Sequence, residues 1–581
     1  MIIRAQPSPR QASVWFALVL ALGVLTFLPT LRSPLMFDDY LHVAMIEGTY
    51  PAKRSPLDLY NFVSDADRAV LRDRGVIPWW SSPQLTIRFF RPLSSALMWA
   101  DHKAFSNRAS LLHLHGLVWW MLAVSAVRRL LRRVLSERVA MLAVTVFALG
   151  QWHATPLAWI ANREAIVSLA LGTFAFDAHV QWRERRTARA GLVAAFLFAL
   201  ALLSGEYALA FGGYVLAWEL TRRSEPIVRR LGGLVPFVAA AVPYLVIRSY
   251  LGYGTRGTSF YSDPIHAPLV FLKTAPSRIL TLFVDGWLSV DAHAWTEAQA
   301  SWGFALAVTG LGVALLAVWS IVNSIDEVGR GVALAFFVGS VLALLPVLAV
   351  APTPRLLGIS AIGIGVVVAL LLEHAWFRSD TKSSGLVGLV AMGFAFVHFI
   401  YGPTNAWLTC QQLRKTADSF AASALQLGNK IDDLPKADLV VVRGLGGMFF
   451  GPFSLDGIGT PVAHWRILSQ TGHVLLLRKD ARTIDVVLPT GRSLYPTGDA
   501  NLFRSDAEAM NAGDELTAQG MRATVIDVAK SGGPSHVRFE FDRDLDDPAL
   551  RFLSERFDGF HDVALPAAGF GMPLEPWAVA P

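Results

Sequence analysis

The residues best suited to chemistry lie in five short segments. The first is MFDDYLH at 36–42, where Asp38 and Asp39 follow closely on an apolar run. Two adjacent carboxyls at a membrane boundary cost desolvation energy unless they are solvated or used. The second is RFFRPL at 88–93, in which Arg88 and Arg91 stand among aromatic residues and a proline. The planar guanidinium fork matches phosphate oxygens. The third, QWHATPLAWIANRE at 151–164, carries His153, Arg163 and Glu164. The fourth, LLSGEYALAF at 202–211, sets Glu206 between two apolar stretches, where a carboxylate needs an arginine, a metal or a substrate hydroxyl as partner. The fifth, APTPRLLGIS at 351–360, opens an apolar run with Arg355. Each has a plainer alternative. The acidic pair could be a solvated turn, and Arg88 and Arg91 could snorkel to lipid headgroups. His153 could be a hydrogen-bonded structural residue, and Arg163 and Glu164 could pair with each other.

The elements that must position these residues are apolar helices. Of 581 residues, 53% are hydrophobic and only 17% charged, against about 25% charged in soluble domains. That composition excludes a simple soluble enzyme and a disordered chain. The single cysteine, Cys410, excludes a disulfide framework and a CxxC metal site. Runs long enough for membrane helices lie at Val14–Leu31 and near 111–131, 139–158, 164–181, 191–204, 206–220, 232–250, 302–322, 331–350, 356–376 and 386–402. These predict about eleven transmembrane helices, with the two short runs flanking Gly205 readable as one broken helix. The first run reads as an uncleaved anchor rather than a signal peptide, because no clear small-x-small cleavage site follows it and many spans come after.

Counted from a cytoplasmic N-terminus, the inner segments carry 18 basic residues and the short outer turns two, Arg163 and Arg355. This positive-inside asymmetry predicts that 33–110, 251–301 and 403–581 face the outer, periplasmic side of a bacterial-type inner membrane. Basic charge is concentrated in the apolar part: residues 403–581 hold 17 Lys+Arg and 22 Asp+Glu. The basic surface therefore suits anionic lipid and the cytoplasmic face rather than nucleic acid. Within the first outer loop, Ser55–Arg74 spaces Leu59, Phe62, Val63, Ala66 and Val70 as an amphipathic helix would, lying on the membrane or packing on the outer domain.

Beyond Tyr401 the character changes. Residues 409–430 read as a helix, and 438–444, 473–479, 483–489, 522–528 and 536–541 as strands between Gly, Pro and Asp turns. The expected organisation is a transmembrane domain over 1–402, with its outer loop 33–110 carrying the acidic pair, and a periplasmic C-terminal domain over 403–581, α+β or mainly β. His464, His473, His536 and His561 lack the spacing of a zinc site. Trp465 with Phe449 and Phe450 could form a carbohydrate platform or a core. The tail is expected to pack over the cavity mouth and help select the acceptor. No internal repeat is found.

The five segments occur in an order that resembles the GT-C superfamily of integral-membrane glycosyltransferases. They are most similar to protein O-mannosyltransferases and to the transmembrane, tetratricopeptide-repeat O-mannosyltransferases. That latter group shows DD in the first loop, then RPL, H…V.W…R, SKE and ERY. Here these become Asp38-Asp39, Arg91-Pro92-Leu93, His153 through Trp159 to Arg163, Ser204-Gly205-Glu206 and Pro354-Arg355-Leu356. The resemblance covers roughly residues 10–400. It departs from the pattern at Gly205, at Pro354 and in lacking the repeats.

The resemblance implies an inverting transfer of sugar from a polyprenyl-phosphate donor. Asp38 is then the general base, and Asp39 orients the acceptor or binds a divalent cation (Mg or Mn), which some members use. Arg91, Arg163 and Arg355 bind the donor phosphate, and Glu206, His153 and Arg88 orient substrate. The acceptor, whether glycan, protein or lipid, is left open, as is transfer to a glycolipid. Two readings of other classes stand beside it: a transporter or flippase for a lipid-linked glycan, for which Asp177 inside an apolar run is the best support, and a non-catalytic membrane scaffold.

Overall fold

A computed structural model describes residues 6–222, 225–291, 301–322, 327–377, 385–431, 437–489, 491–518, 520–556 and 558–574. Arg4, Arg223 and the basic residues of 378–382, counted in the charge asymmetry, lie outside the described residues. The chain forms two compact units, each assembled from three stretches. One comprises Met1–Ser33, Phe90–Gly252 and Leu269–Arg414; the other comprises Pro34–Phe89, Tyr253–Pro268 and Lys415–Pro581.

The first unit is helical. Every apolar run named above carries a helix. Among the described residues five helices are long and apolar enough to cross a membrane: Pro9–Arg32, Ala109–Val134, Gly329–Ala349, Ser360–Phe377 and Gly385–Lys430. The chain is a multi-pass helical membrane protein with a β-rich C-terminal region. The first helix begins at a capping box: Gln11 N–H donates to Ser8 Oγ (3.3 Å) and Ser8 N–H to Gln11 Oε1 (2.8 Å). Pro9 takes the first helical position, where its missing N–H is not needed. Small residues let helices approach at the centre, where Gly363 lies against the Phe336 carbonyl and Gly365 against that of Ala143. The runs flanking Gly205 are two separate helices, Ala188–Ser204 and Phe211–Thr221, joined by a 3-10 turn over Glu206–Ala210.

One segment departs from expectation. Residues 251–301, read as an outer loop, contain the helix Pro268–Leu288. Arg278 Nη1 donates to Leu348 O (2.8 Å), and Gly286 faces Leu357 and Ile364. This helix therefore packs along the bundle end shared by the turns at 345–357. Its charged residues Lys273, Arg278 and Asp285, the last two of them buried, interrupt the apolar run that sequence reading relies on.

The second unit joins the first outer loop to the tail. Ser55–Arg74 is not one amphipathic helix. Asn61–Val63 is a strand, Ser64 N–H donates to Asp67 Oδ1 (2.8 Å) in a turn, and only Arg68–Asp73 is helical. The strand pairs antiparallel with Thr86–Arg88, which pairs with Gly254–Arg256. Leu59, Val63 and Leu71 are buried, but they sit in a turn, on the strand and on the short helix rather than on one helix face. The tail contains the helix Gly402–Lys430 and every strand read from the sequence. A six-stranded antiparallel sheet runs in the order Gly571–Leu574, Val474–Arg478, Thr483–Val487, Pro534–Phe541, Met521–Val528, Glu515–Ala518. In Pro534–Phe541, Val537, Phe539 and Phe541 are buried and alternate with His536, Arg538 and Glu540. A second sheet runs Gly559–Asp562, Leu550–Arg556, Asp438–Arg443, His464–Ile467, with Asp438–Arg443 parallel to both its neighbours and the first pairing antiparallel. Asp438–Arg443 is buried throughout, as expected of a strand covered on both faces. Trp465 lies in this core against Phe560 and is not an exposed platform.

Candidate active site

In the helical unit, the residue before Pro92 is barred from helical geometry, so Arg91 ends the loop as the N-cap of Pro92–Phe105. Its guanidinium bridges two carboxylates, with Nη1 3.1 Å from Glu164 Oε1 and Nε 2.9 Å from Glu206 Oε2. Glu206 also accepts Phe90 N–H (3.3 Å) and lies 3.9 Å from Arg248. Glu164 Oε1 takes a further bond from Asn162 Nδ2 (3.1 Å), whereas Oε2 is buried without a hydrogen-bond partner among the described residues. A Cβ on Gly205 would sit 3.1 Å from Ser168 Oγ, 3.5 Å from Glu164 Cγ and 3.9 Å from Arg91 Nε. A longer side chain there would compete with Arg91 for the space between the two carboxylates. That is a physical reason for glycine where the resembling group has lysine.

Arg163 belongs to an adjoining network. It pairs with Asp101, and its Nη1 donates to Leu112 O (3.2 Å). His115 Nδ1 lies 2.8 Å from Asp101 Oδ1, and Trp119 Nε1–H donates to His115 Nε2 (3.0 Å). An indole N–H can only donate, so His115 Nε2 accepts, and Nδ1 carries the proton toward Asp101. Burial alone would raise the Asp101 carboxyl, but the bonds from His115 and Arg163 outweigh it and hold it below the ordinary carboxylate range.

Arg355 differs from both. Its guanidinium stands over the Trp159 ring at 5.4 Å, and Nε donates to Thr353 Oγ1 (3.3 Å). No ion pair to it is formed among the described residues, although its charge acts on Glu164. Arg91, Arg163 and Arg355 thus share one end of the helical unit with Glu206. His153 does not join them. It is 1% exposed, its Nε2 is 3.0 Å from Phe147 O, and Phe27, Trp120, Phe147 and Trp152 surround the ring.

The acidic pair lies in the other unit. Asp38 and Asp39 form the first turn of the helix Asp38–Glu47, where the helix dipole favours negative charge. Asp39 is buried, and its Oδ2 accepts Met36 N–H (3.0 Å) while its own N–H donates to Met36 O (3.0 Å). Asp38 is half-buried. Arg88 lies on the central strand of the three-stranded sheet, its guanidinium 4.3 Å from the Tyr253 ring centre. Mg and Mn ions require several oxygen ligands. Asp39 already spends one oxygen on the helix start, and the described residues contain no group of three or more His, Cys, Asp or Glu that could hold a metal.

Sequence reasoning missed Asp101, His115 and Arg248, and did not single out Glu164 as the partner of Arg91. The available signal was charge within otherwise apolar helices, which implies a paired partner elsewhere.

No known protein-family profile matches the chain. No curated protein matches it in sequence. Among solved structures it is similar to the archaeal oligosaccharyltransferase AglB from Archaeoglobus fulgidus in complex with an inhibitory peptide and a dolichol-phosphate (12% identity, 79% of this chain and 64% of that one, TM-score 0.43). It is also similar to ArnT from Cupriavidus metallidurans bound to undecaprenyl phosphate (14% identity, 78% of this chain and 86% of that one, TM-score 0.42). A third is the arabinofuranosyltransferase AftD from Mycobacteria (13% identity, 93% of this chain and 40% of that one, TM-score 0.35). The chain spans 64% of the length of the archaeal structure.

Proposed function

We propose that the protein is an inverting membrane glycosyltransferase that moves a sugar from a polyprenyl-phosphate donor to an acceptor hydroxyl at the periplasmic face of a bacterial-type inner membrane. The carrying observation is Arg355, a cation stacked on Trp159 and without an ion pair among the described residues, beside the largely buried Arg91–Glu164–Glu206 group. A fixed, partly desolvated guanidinium is what a departing lipid phosphate needs. The ordered motifs and the positive-inside asymmetry support the same reading.

In this scheme Asp38 accepts the proton of the acceptor hydroxyl. The acceptor oxygen bonds to the anomeric carbon as the bond from that carbon to the phosphate oxygen breaks. The lipid phosphate leaves with the bonding electron pair, its charge met by Arg355. Arg91 and Arg163, each already held by buried carboxylates, shape that end of the bundle and contribute positive potential. Glu206 fixes Arg91, and Asp39 fixes the turn that presents Asp38.

The test is mass spectrometry of envelope glycans, glycoproteins and glycolipids from cells lacking the gene, complemented with wild type or Asp38→Asn at equal membrane expression. The expected result is a one-sugar mass difference that wild type restores and Asp38→Asn does not. Full restoration by Asp38→Asn would remove Asp38 as the base and favour the transporter or scaffold reading.

A further inference from the structure

The C-terminal region makes direct contact with the acidic helix inside its unit. Phe37, immediately before Asp38, has φ 49° and ψ −121°, a conformation that bulky residues rarely adopt and keep only where their surroundings impose it. Its ring is met by two rings from the tail: Phe450 at 5.6 Å and Phe420 at 6.4 Å between centroids. Phe420 also packs on Tyr40, at 5.5 Å, so a single buried side chain touches residues on both sides of the acidic pair. Burial and the charge of Asp39 push the Tyr40 hydroxyl up to about 12, so it stays a neutral packing group.

The arrangement behind the clamp is equally tight. Gly447 lies against Phe420 and the Glu555 carboxylate, and Met448 N–H donates to Glu555 Oε2 (3.2 Å). A Cβ on Gly457 would touch the Tyr40 ring at 3.6 Å. Two glycines at these close approaches let the segment 444–457 press onto the acidic helix.

We propose that Phe420 and Phe450 are positioning residues: they clamp Phe37 and Tyr40 and thereby fix where the Asp38 carboxylate points. The inference rests on the reading of Asp38 as the base and gives the tail a place in the chemistry itself. The geometry needed for proton transfer is narrow, and a misplacement of about 1 Å can cost up to about a hundredfold in rate. A strained residue beside the catalytic acid, held by rings from a distant part of the chain, is a direct way to meet that tolerance.

The experiment uses the full chain in nanodiscs and a water-soluble carbodiimide as the probe. Labelling of Asp38 is read by mass spectrometry across the carboxylate titration range, against the exposed Asp546 as internal reference. The variants are Phe420→Ala, the milder Phe420→Leu, Phe450→Ala, the conservative Phe420→Tyr, and Phe541→Leu. Phe541 is a core residue that packs on Phe552 instead. Loss of either clamp ring should change Asp38 labelling by about threefold and lower sugar transfer in the complementation assay by about tenfold. Phe420→Tyr should restore both, and Phe541→Leu should leave both near wild type. Unchanged Asp38 labelling in the ring-loss variants, or an equal change in Phe541→Leu, would overturn the proposal. Full activity of Asp38→Asn would instead defeat the catalytic reading while leaving the labelling result standing.

Discussion

Replacing Arg91 by methionine should destabilise the helical unit severely, because it strands two carboxylates at once. The Arg91 side chain is 18% exposed, Glu164 7% and Glu206 21%, and the contacts are 3.1 and 2.9 Å. At an effective dielectric of about 20, each contact carries about 5 kcal/mol of gross attraction. Desolvating three ions cancels most of that, but removing one partner from a buried pair still costs about 3–5 kcal/mol. Glu206 keeps Phe90 N–H and a more distant Arg248, whereas Glu164 keeps only the Asn162 amide and has one oxygen without a hydrogen-bond partner among the described residues, so the loss falls mainly on Glu164. The assay is equilibrium unfolding of the full chain in mixed detergent–SDS micelles, followed by tryptophan fluorescence. Arg91→Met should lose about 3–5 kcal/mol, and the triple variant Arg91→Met/Glu164→Gln/Glu206→Gln should recover part of it by removing the uncompensated charges. A loss under about 0.5 kcal/mol, typical of solvated surface pairs, would refute the reasoning. So would a triple variant no better than the single one. Donor affinity that falls with stability unchanged would make Arg91 a phosphate ligand and not a strut.

Two further outcomes are expected. Arg355→Ala should weaken binding of undecaprenyl phosphate to the protein in nanodiscs by about tenfold, with about 1 kcal/mol or less of stability lost, since only a ring contact and one hydroxyl bond are removed; unchanged binding would exclude it as the phosphate site. Burial pushes the Glu555 carboxyl up to about 7 against the bonds from Leu445 and Met448 N–H, so the folded state holds its proton more tightly than the unfolded chain. The stability this group supports is present at low pH and lost as pH rises from about 4.5 to about 7, so Glu555→Gln should gain up to about 3 kcal/mol over wild type at pH 8 and nothing at pH 4. Equal unfolding curves for the two proteins at both pH values would sink that assignment.

Legibility in the sequence followed how local the determining forces are. Every apolar run yielded a helix because helix formation in an apolar stretch needs no distant partner. The strands at 474–478, 483–487 and 534–541 were equally visible from alternation and flanking turns. What failed was structure completed by distant chain. Asn61–Val63 is a strand only because Thr86–Arg88 supplies its ladder, and that strand in turn pairs with Gly254–Arg256. The same holds for the charges. Arg91, Glu206 and Arg355 could be read as a group from their place at helix ends, but the allotment of partners could not: Arg91 to Glu164 and Glu206, Arg163 to Asp101, Arg355 to a tryptophan face. Spacing announces that a buried charge needs a partner and is silent on which one it takes.

That allotment also bears on Asp177, the residue that favoured transport. A lone carboxylate within a span would mark an ion or proton path. Asp177 is instead bonded to Arg129 (2.7 Å) and Arg133 (3.0 Å), and Arg133 continues to Glu184. Nearby on the same helix, His179 and Arg183 both meet Glu219, each at 2.9 Å. Arg129 is 58% exposed, so the group opens at a helix end and does not thread the bundle. Charges matched in this way tie helices together, so Asp177 is not the lone carboxylate that the transport reading called for. At the opposite end of the helical unit Arg355 stands on Trp159, where the proposed function has it meet the lipid phosphate.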